Sequence, residues 1–317
     1  MTKPSQILLG TFFRRVSKML LFPVKMKINK LIISSLLFFT CLMYSNQEVD
    51  IDSPEGWGMA FMTSAGLNLG QSPPSSGDNI GTFSISAELS SIPHLTREQQ
   101  KIGFGGFKDE DLNKSPVFGK LRANIVLPLD FNAEISWTPP FKIDDSKPDD
   151  IWGAAISKSL VNNDRFGLGL RLFMLRGGAI ASVTCSKDVI EYEPYTPKNT
   201  SGCIEKSKDK LQMDHEGAEL FISFNAPSNV HPWISLASIN IDTSVEIDAL
   251  LKTGRENLIV RSDGSLKTYS IGINYDFDEN RALSFASSYT PLDVERPRNT
   301  SGNDNFWNLR VGIIIKF

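Results

Sequence analysis

Residues 118–137 read Phe118-Gly119-Lys120-Leu121-Arg122-Ala123-Asn124-Ile125-Val126-Leu127-Pro128-Leu129-Asp130-Phe131-Asn132-Ala133-Glu134-Ile135-Ser136-Trp137. Leu121, Ala123, Ile125 and Leu127 alternate with Lys120, Arg122 and Asn124. Beyond a tight turn at Pro128, Leu129, Phe131, Ala133, Ile135 and Trp137 alternate with Asp130, Asn132, Glu134 and Ser136. A period of two belongs to a β-strand, whose successive side chains leave by opposite faces. The stretch is therefore a hairpin with one apolar and one charged face.

The same alternation recurs along the chain. Phe83, Ile85, Ala87 and Leu89 interleave with Ser84, Ser86 and Glu88, and Phe166, Leu168, Leu170 and Leu172 with Gly167, Gly169 and Arg171. Ala218, Leu220, Ile222 and Phe224 face away from Glu219, and Tyr269, Ile271, Ile273, Tyr275 and Phe277 from Ser270, Gly272, Asn274 and Asp276. Leu283, Phe285 and Tyr289 oppose Ser284, Ala286 and Ser288; residues 151–160 and 233–243 fit less cleanly. No stretch of the mature chain shows a convincing helical period.

A soluble two-sheet sandwich also alternates. Three features separate it from a membrane-crossing barrel. Many segments run about nine to eleven residues, the length a tilted strand needs to cross a bilayer. All five tryptophans, Trp57, Trp137, Trp152, Trp233 and Trp307, fall near segment ends, and Trp137, Trp152, Trp233 and Trp307 are the rings expected to meet lipid headgroups. Connections alternate short and long: 276–281, 226–232, 161–165 and the Pro128 turn are short, whereas 244–266, 177–216 and 92–117 are long and 139–150 is intermediate. The fold class expected is all-β, a transmembrane antiparallel up-and-down β-barrel.

Residues 26–45 begin Met26-Lys27-Ile28-Asn29-Lys30 and continue into a mostly apolar run ending near Ser45. A short basic start before an apolar run of about 14 residues is a signal peptide, too short for a spanning helix. Met26 is then the expected start, with residues 1–25 a misassigned extension. Seven of the 33 Lys and Arg residues lie in residues 1–45, which carry no acid; the remaining 26 face 36 Asp and Glu. So acidic a mature body speaks against nucleic acid as a partner.

The chain ends Trp307-Asn308-Leu309-Arg310-Val311-Gly312-Ile313-Ile314-Ile315-Lys316-Phe317. With Arg310, Gly312, Ile315 and the terminal Phe317 at its key positions, this resembles the C-terminal insertion signal of bacterial outer-membrane β-barrel proteins. The likeness spans about residues 57–317. It implies an outer-membrane location, contact with lipid and lipopolysaccharide, and recognition by the barrel-assembly machinery. The alternation of loops from residue 80 onward gives ten strands, or twelve if a long outer loop hides another crossing; bacterial barrels carry even numbers. Residues 46–79 are then a plug or an extra strand, and residues 80–317 the barrel.

Glu88, Lys120, Arg122, Asp130, Glu134, Arg171, Glu219 and Arg310 are expected to line the lumen as a paired network. Cys185 and Cys203 remain after Cys41 leaves with the signal, and two cysteines in an exported chain read as one disulfide in the longest outer loop. His215 is the only histidine near them in sequence, so no metal site is expected and no cofactor is implied. Two functions fit: a narrow pore or transporter for small or hydrophobic solutes, and a structural or adhesive surface protein with a disulfide-pinned loop. A surface hydrolase would need His94 or His215 paired at the rim and is not the favoured reading.

Overall fold

The structure, a computed structural model, describes residues 45–64, 79–224, 229–296 and 304–317. The expected extension over residues 1–25, the signal up to residue 44, and residues 65–78 of the N-terminal segment lie outside the described residues. The chain begins with β1 (Ser45–Glu48) and a helix α1 (Pro54–Ser64). Then follow β2 (Phe83–Ser91), β3 (Val117–Leu127), β4 (Phe131–Trp137), β5 (Ser146–Asn162), β6 (Phe166–Ala181) and β7 (Asp209–Phe224). The last are β8 (Val230–Leu251), β9 (Gly254–Asp278), β10 (Arg281–Thr290) and β11 (Phe306–Lys316). β2 to β11 pair with their sequence neighbours in antiparallel register, and β11 pairs back onto β2 through Arg310–Ser90 to Lys316–Ser84. The result is a closed barrel of ten strands, with β1 added outside the ring on β9. No helix of the described residues is long and apolar enough to cross a membrane.

The connections sort by end. At one end lie the Pro128–Asp130 turn and the short links after β5 and β9. At the other lie residues 92–116, 138–145, 182–208 and 291–296, with the β8–β9 tip at 252–253. Short turns face the periplasm in outer-membrane barrels, so the long connections mark the outer side. The loop expected over 244–266 is instead a hairpin of two long strands, and that expected over 177–216 shortens to 182–208.

Those long strands carry the main departure from the expected pattern. On β8, Ile234 and Leu236 point outward, with Trp233 and Ser235 inward. Two residues further up, the same outward face presents Ser238, Asn240 and Asp242, while Ala237, Ile239, Ile241 and Val245 are buried inside. β9 changes at the matching level: Tyr275, Ile273, Ile271 and Tyr269 face out below, Lys267, Ser265, Asp263 and Arg261 above. β7 passes from Phe224, Ile222 and Leu220 to Glu216, Asp214 and Gln212. The direction of each side chain keeps its period of two, but the chemistry of the two faces trades places. Below the change the wall is built for hydrocarbon outside; above it the wall has an apolar core and a polar exterior, as a water-soluble barrel does. From Ser238 to Leu251 the wall stands about 35 Å above the apolar belt at an ordinary barrel tilt.

The upper exterior contains one unfavourable row. Asp242 on β8 lies directly opposite Asp214 on β7 and Asp263 on β9. Arg176 relieves one end of it, 2.9 Å from Asp214. Like charges directly opposite on adjacent strands destabilise. Asp242→Asn is therefore expected to stabilise the folded barrel by about 0.5 kcal/mol, read as a higher urea midpoint in detergent; a lower midpoint would contradict this placement.

Candidate functional site

The interior has two layers. The lower is a chain of ion pairs running around the inner wall. Glu88 on β2 accepts from Arg122 on β3 at 2.9 Å, with Arg310 of β11 at 3.8 Å and Lys120 of β3 at 4.0 Å. Arg122 also donates to Glu134 on β4 at 2.8 Å. Glu134 stands 4.0 Å from Arg171 on β6, which pairs with Glu219 on β7. β5 lies between β4 and β6 and contributes no charge at this level. Its inward residues Gly153, Ala155 and Ser157 are small, and a Cβ on Gly153 would stand 2.7 Å from the Ser136 hydroxyl. Small side chains there let Glu134 and Arg171 meet across the strand. The opposite wall carries hydroxyls: Thr268 bonds Thr290 at 2.8 Å and Ser270 bonds Ser288 at 3.0 Å.

Of the eight charged residues named from sequence, the structure brings seven into this belt. Asp130 is the exception. It occupies the periplasmic turn with φ +61 after Leu129 with φ +63, and is exposed there. The positive φ pair breaks the alternation, so its side chain leaves the strand pattern. Trp233 is the second correction. Trp137, Trp152 and Trp307 face outward, but Trp233 is buried inside. Gly272 sits opposite it on β9, and a Cβ there would come within 2.4 Å of the indole. The strand's alternation turns this tryptophan inward, and the glycine makes room for it.

The upper layer is built around α1. Ser53 accepts from the Gly56 amide at 3.1 Å, and Pro54 begins the helix where its missing N–H costs nothing. Trp57 and Phe61 stack with centroids 5.7 Å apart, and Phe61 meets Phe306 edge-on. The Trp57 indole donates to the Asp304 carbonyl at 2.9 Å, and Arg296, paired with Asp304 at 2.8 Å, covers its ring. The opposite face of the helix sets Met59 among Ile151, Leu175, Leu211, Met213, Val245 and Val260 of the upper wall. Ala60 lies against Phe173, Ile239 and Ile241. Gly56 permits the tight entry, because a Cβ there would collide with the Asp50 carbonyl at 2.1 Å. The Ser53-Pro54-Glu55 start signal stands in the sequence, but the helix behind it shows no amphipathic stripe.

Outer loops close over this core. Cys185 and Cys203 form a disulfide, buried against Ala249. The Asp209 carboxylate accepts from the Val183 and Thr184 amides and the Ser207 hydroxyl at 2.7–2.9 Å, fixing both ends of the loop beside it. Asn199 bonds the Cys203 amide and carbonyl and the Tyr192 carbonyl. On the neighbouring loop, burial pushes the Glu110 carboxyl up to about 8, against the opposing pull of Lys108 at 2.8 Å. His94 is exposed with Asn113 Nδ2 3.3 Å from its Nε2, and His215 is buried in the upper wall. Among the described residues no three His, Cys, Asp or Glu side chains converge on a metal-sized site.

Breaking the belt leaves a buried charge without its partner, whereas removing both charges leaves none. Glu219→Ala is expected to destabilise the barrel by about 3–5 kcal/mol, and Glu219→Ala with Arg171→Met to recover most of that loss. Urea unfolding from lipid vesicles measures both; equal losses in the single and double variants would contradict the pairing.

No family model and no curated protein matches the chain. Solved structures do. The outer membrane protease OmpT from Escherichia coli is 12% identical, with TM-score 0.39 over 75% of this chain and 94% of that one. LpxR from Salmonella typhimurium is 11% identical, TM-score 0.32, over 74% and 100%. The attachment invasion locus protein Ail of Yersinia pestis is 11% identical, TM-score 0.31, over 75% and 100%. At such identities and scores the likeness says nothing of activity. The closed ring of ten strands, its apolar belt and its one-sided long loops are those of a bacterial outer-membrane β-barrel protein.

Proposed function

We propose that the protein is a closed surface barrel, held in the membrane by its lower half and acting at the cell surface through the outer cap, rather than an open pore. The observation that carries this is the filling of the lumen. α1 fills the upper half with Trp57 and Phe61 at 0% and 1% exposure, and the Glu88–Arg122–Glu134–Arg171–Glu219 chain lines the lower half with buried, paired charges. Unlike the polar, water-filled lumen of a porin, the upper interior is aliphatic. Phe104, Phe107, Phe141 and Tyr195 stand exposed on outer loops, which supports contact with another surface. The terminal run with Arg310, Gly312, Ile315 and Phe317 serves, on this account, as the signal for the assembly machinery.

A gated passage for small apolar solutes is the second reading. It is favoured by a cavity of about 80 Å³ between α1 and the upper wall, lined mostly by apolar side chains such as Phe61, Met62, Leu112 and Leu211, with Lys114 and Asp209 also at its edge. It requires α1 to move. Planar bilayers separate the proposal from an open pore. The folded protein is expected to stay electrically silent, and steady ohmic current steps from the unmodified protein would contradict the closed lumen.

A further inference from the structure

β10 stops at Thr290, which leaves the upper edge of β9 without a barrel neighbour above Tyr269. An edge of that kind carries unpaired backbone donors and acceptors. The N-terminal segment occupies it. β1 runs parallel to β9, with Ser45 to Glu48 beside Leu258 to Arg261, and the Val49 amide donates to the Arg261 carbonyl at 2.9 Å. Ile51 follows against Gly264, where a Cβ would stand 2.9 Å from the isoleucine's own. The Asp52 carbonyl accepts from the Glu295 amide at 2.8 Å. α1 then enters the core beneath the outer loops, against Leu95, Ile102, Leu112 and Phe306.

Every one of these partners belongs to the outer half of the molecule. The first barrel strand begins at the opposite end. The Gly81 amide donates to the Val126 carbonyl at 2.8 Å, and the Phe317 amide to the Phe83 carbonyl at 2.8 Å, beside the periplasmic Pro128–Asp130 turn. A signal removed in the periplasm would ordinarily leave the new N-terminus on the periplasmic side. The geometry points to the reverse: the N-terminal end of the processed chain stands outside the cell, as a strap along the upper edge of β9. Closure of the barrel must then carry residues 46–64 to the outer side. The strap completes the hydrogen bonding of an edge that the short β10 leaves bare, and it anchors the helix that fills the upper lumen.

Side-specific labelling tests this. Gln47 is exposed on β1, Thr253 lies at the outer β8–β9 tip, and Glu279 in a periplasmic turn. Gln47→Cys, Thr253→Cys and Glu279→Cys are treated in intact cells with a maleimide carrying a 5 kDa polyethylene glycol, too large for porins, with the unmodified protein as background. Gln47→Cys is expected to react to the same extent as Thr253→Cys, while Glu279→Cys reacts only after the outer membrane is opened. Reaction of Gln47→Cys solely after opening, in step with Glu279→Cys, would overturn the inference. Heat-modifiable migration confirms that each variant has folded. An epitope inserted before Asn46 gives the second readout: antibody binding to whole cells supports the strap, and binding confined to opened cells refutes it.

Discussion

One constraint governs the whole molecule: a single continuous wall must face hydrocarbon over its lower half and water over its upper half. A strand cannot turn over without breaking its ladder, so direction is conserved along its length and composition has to change instead. On β8 that change falls between Leu236 and Ser238, and on β9 between Tyr269 and Lys267, residues that the register places side by side. Below it, the apolar surface is outside and the inside must be satisfied by ion pairs and hydroxyls. Above it, the apolar surface is inside and needs something to pack against. α1 and the outer loops supply that, which is why the upper lumen is filled and the lower one is charged.

The two fillings do different physical work. Buried charges cost free energy unless each finds a partner, and the alternating Glu and Arg give each charge an opposite one beside it, tight at Arg122 and looser, 4.0 Å, between Glu134 and Arg171. Its continuity depends on a strand that contributes almost nothing, β5, whose Gly153, Ala155 and Ser157 leave the space across which Glu134 reaches Arg171. The upper filling relies on area and shape: Trp57, Phe61 and Met59 bury apolar surface that no solvent could wet. The disulfide and the Asp209 carboxylate hold the lid over it. Ordered outer loops and a filled chamber therefore belong to one unit, distinct in its chemistry from the membrane belt beneath.

Much of the belt was legible in the sequence. The hairpin at 118–137, the terminal strand and the short turns gave the ring and its count of ten, because a half-apolar strand announces itself by alternation. The cap was not. Above the membrane the polar residues Ser244, Glu246 and Asp248 come thickly enough to look like a loop, although Ser244 points outward and Val245 inward as a strand requires. Trp233 was misplaced since only the pairing reveals that Gly272 stands opposite it. Asp130 was misplaced because two residues of positive φ hide inside what reads as an ordinary turn. α1 announced itself only through a capping serine and a proline, with no amphipathic stripe, since it is surrounded on every side.

The inversion of the wall is tested most directly by nitroxide labels placed singly at Ile234, Leu236, Ser238, Asn240 and Asp242, all on the outward face of β8. In reconstituted vesicles, collision with oxygen reports lipid and collision with a water-soluble nickel chelate reports solvent. Oxygen is expected to dominate at Ile234 and Leu236, and the nickel chelate at Asn240 and Asp242, with the crossing at Ser238. Oxygen-dominated relaxation continuing through Asp242, or solvent exposure already at Ile234, would contradict the account.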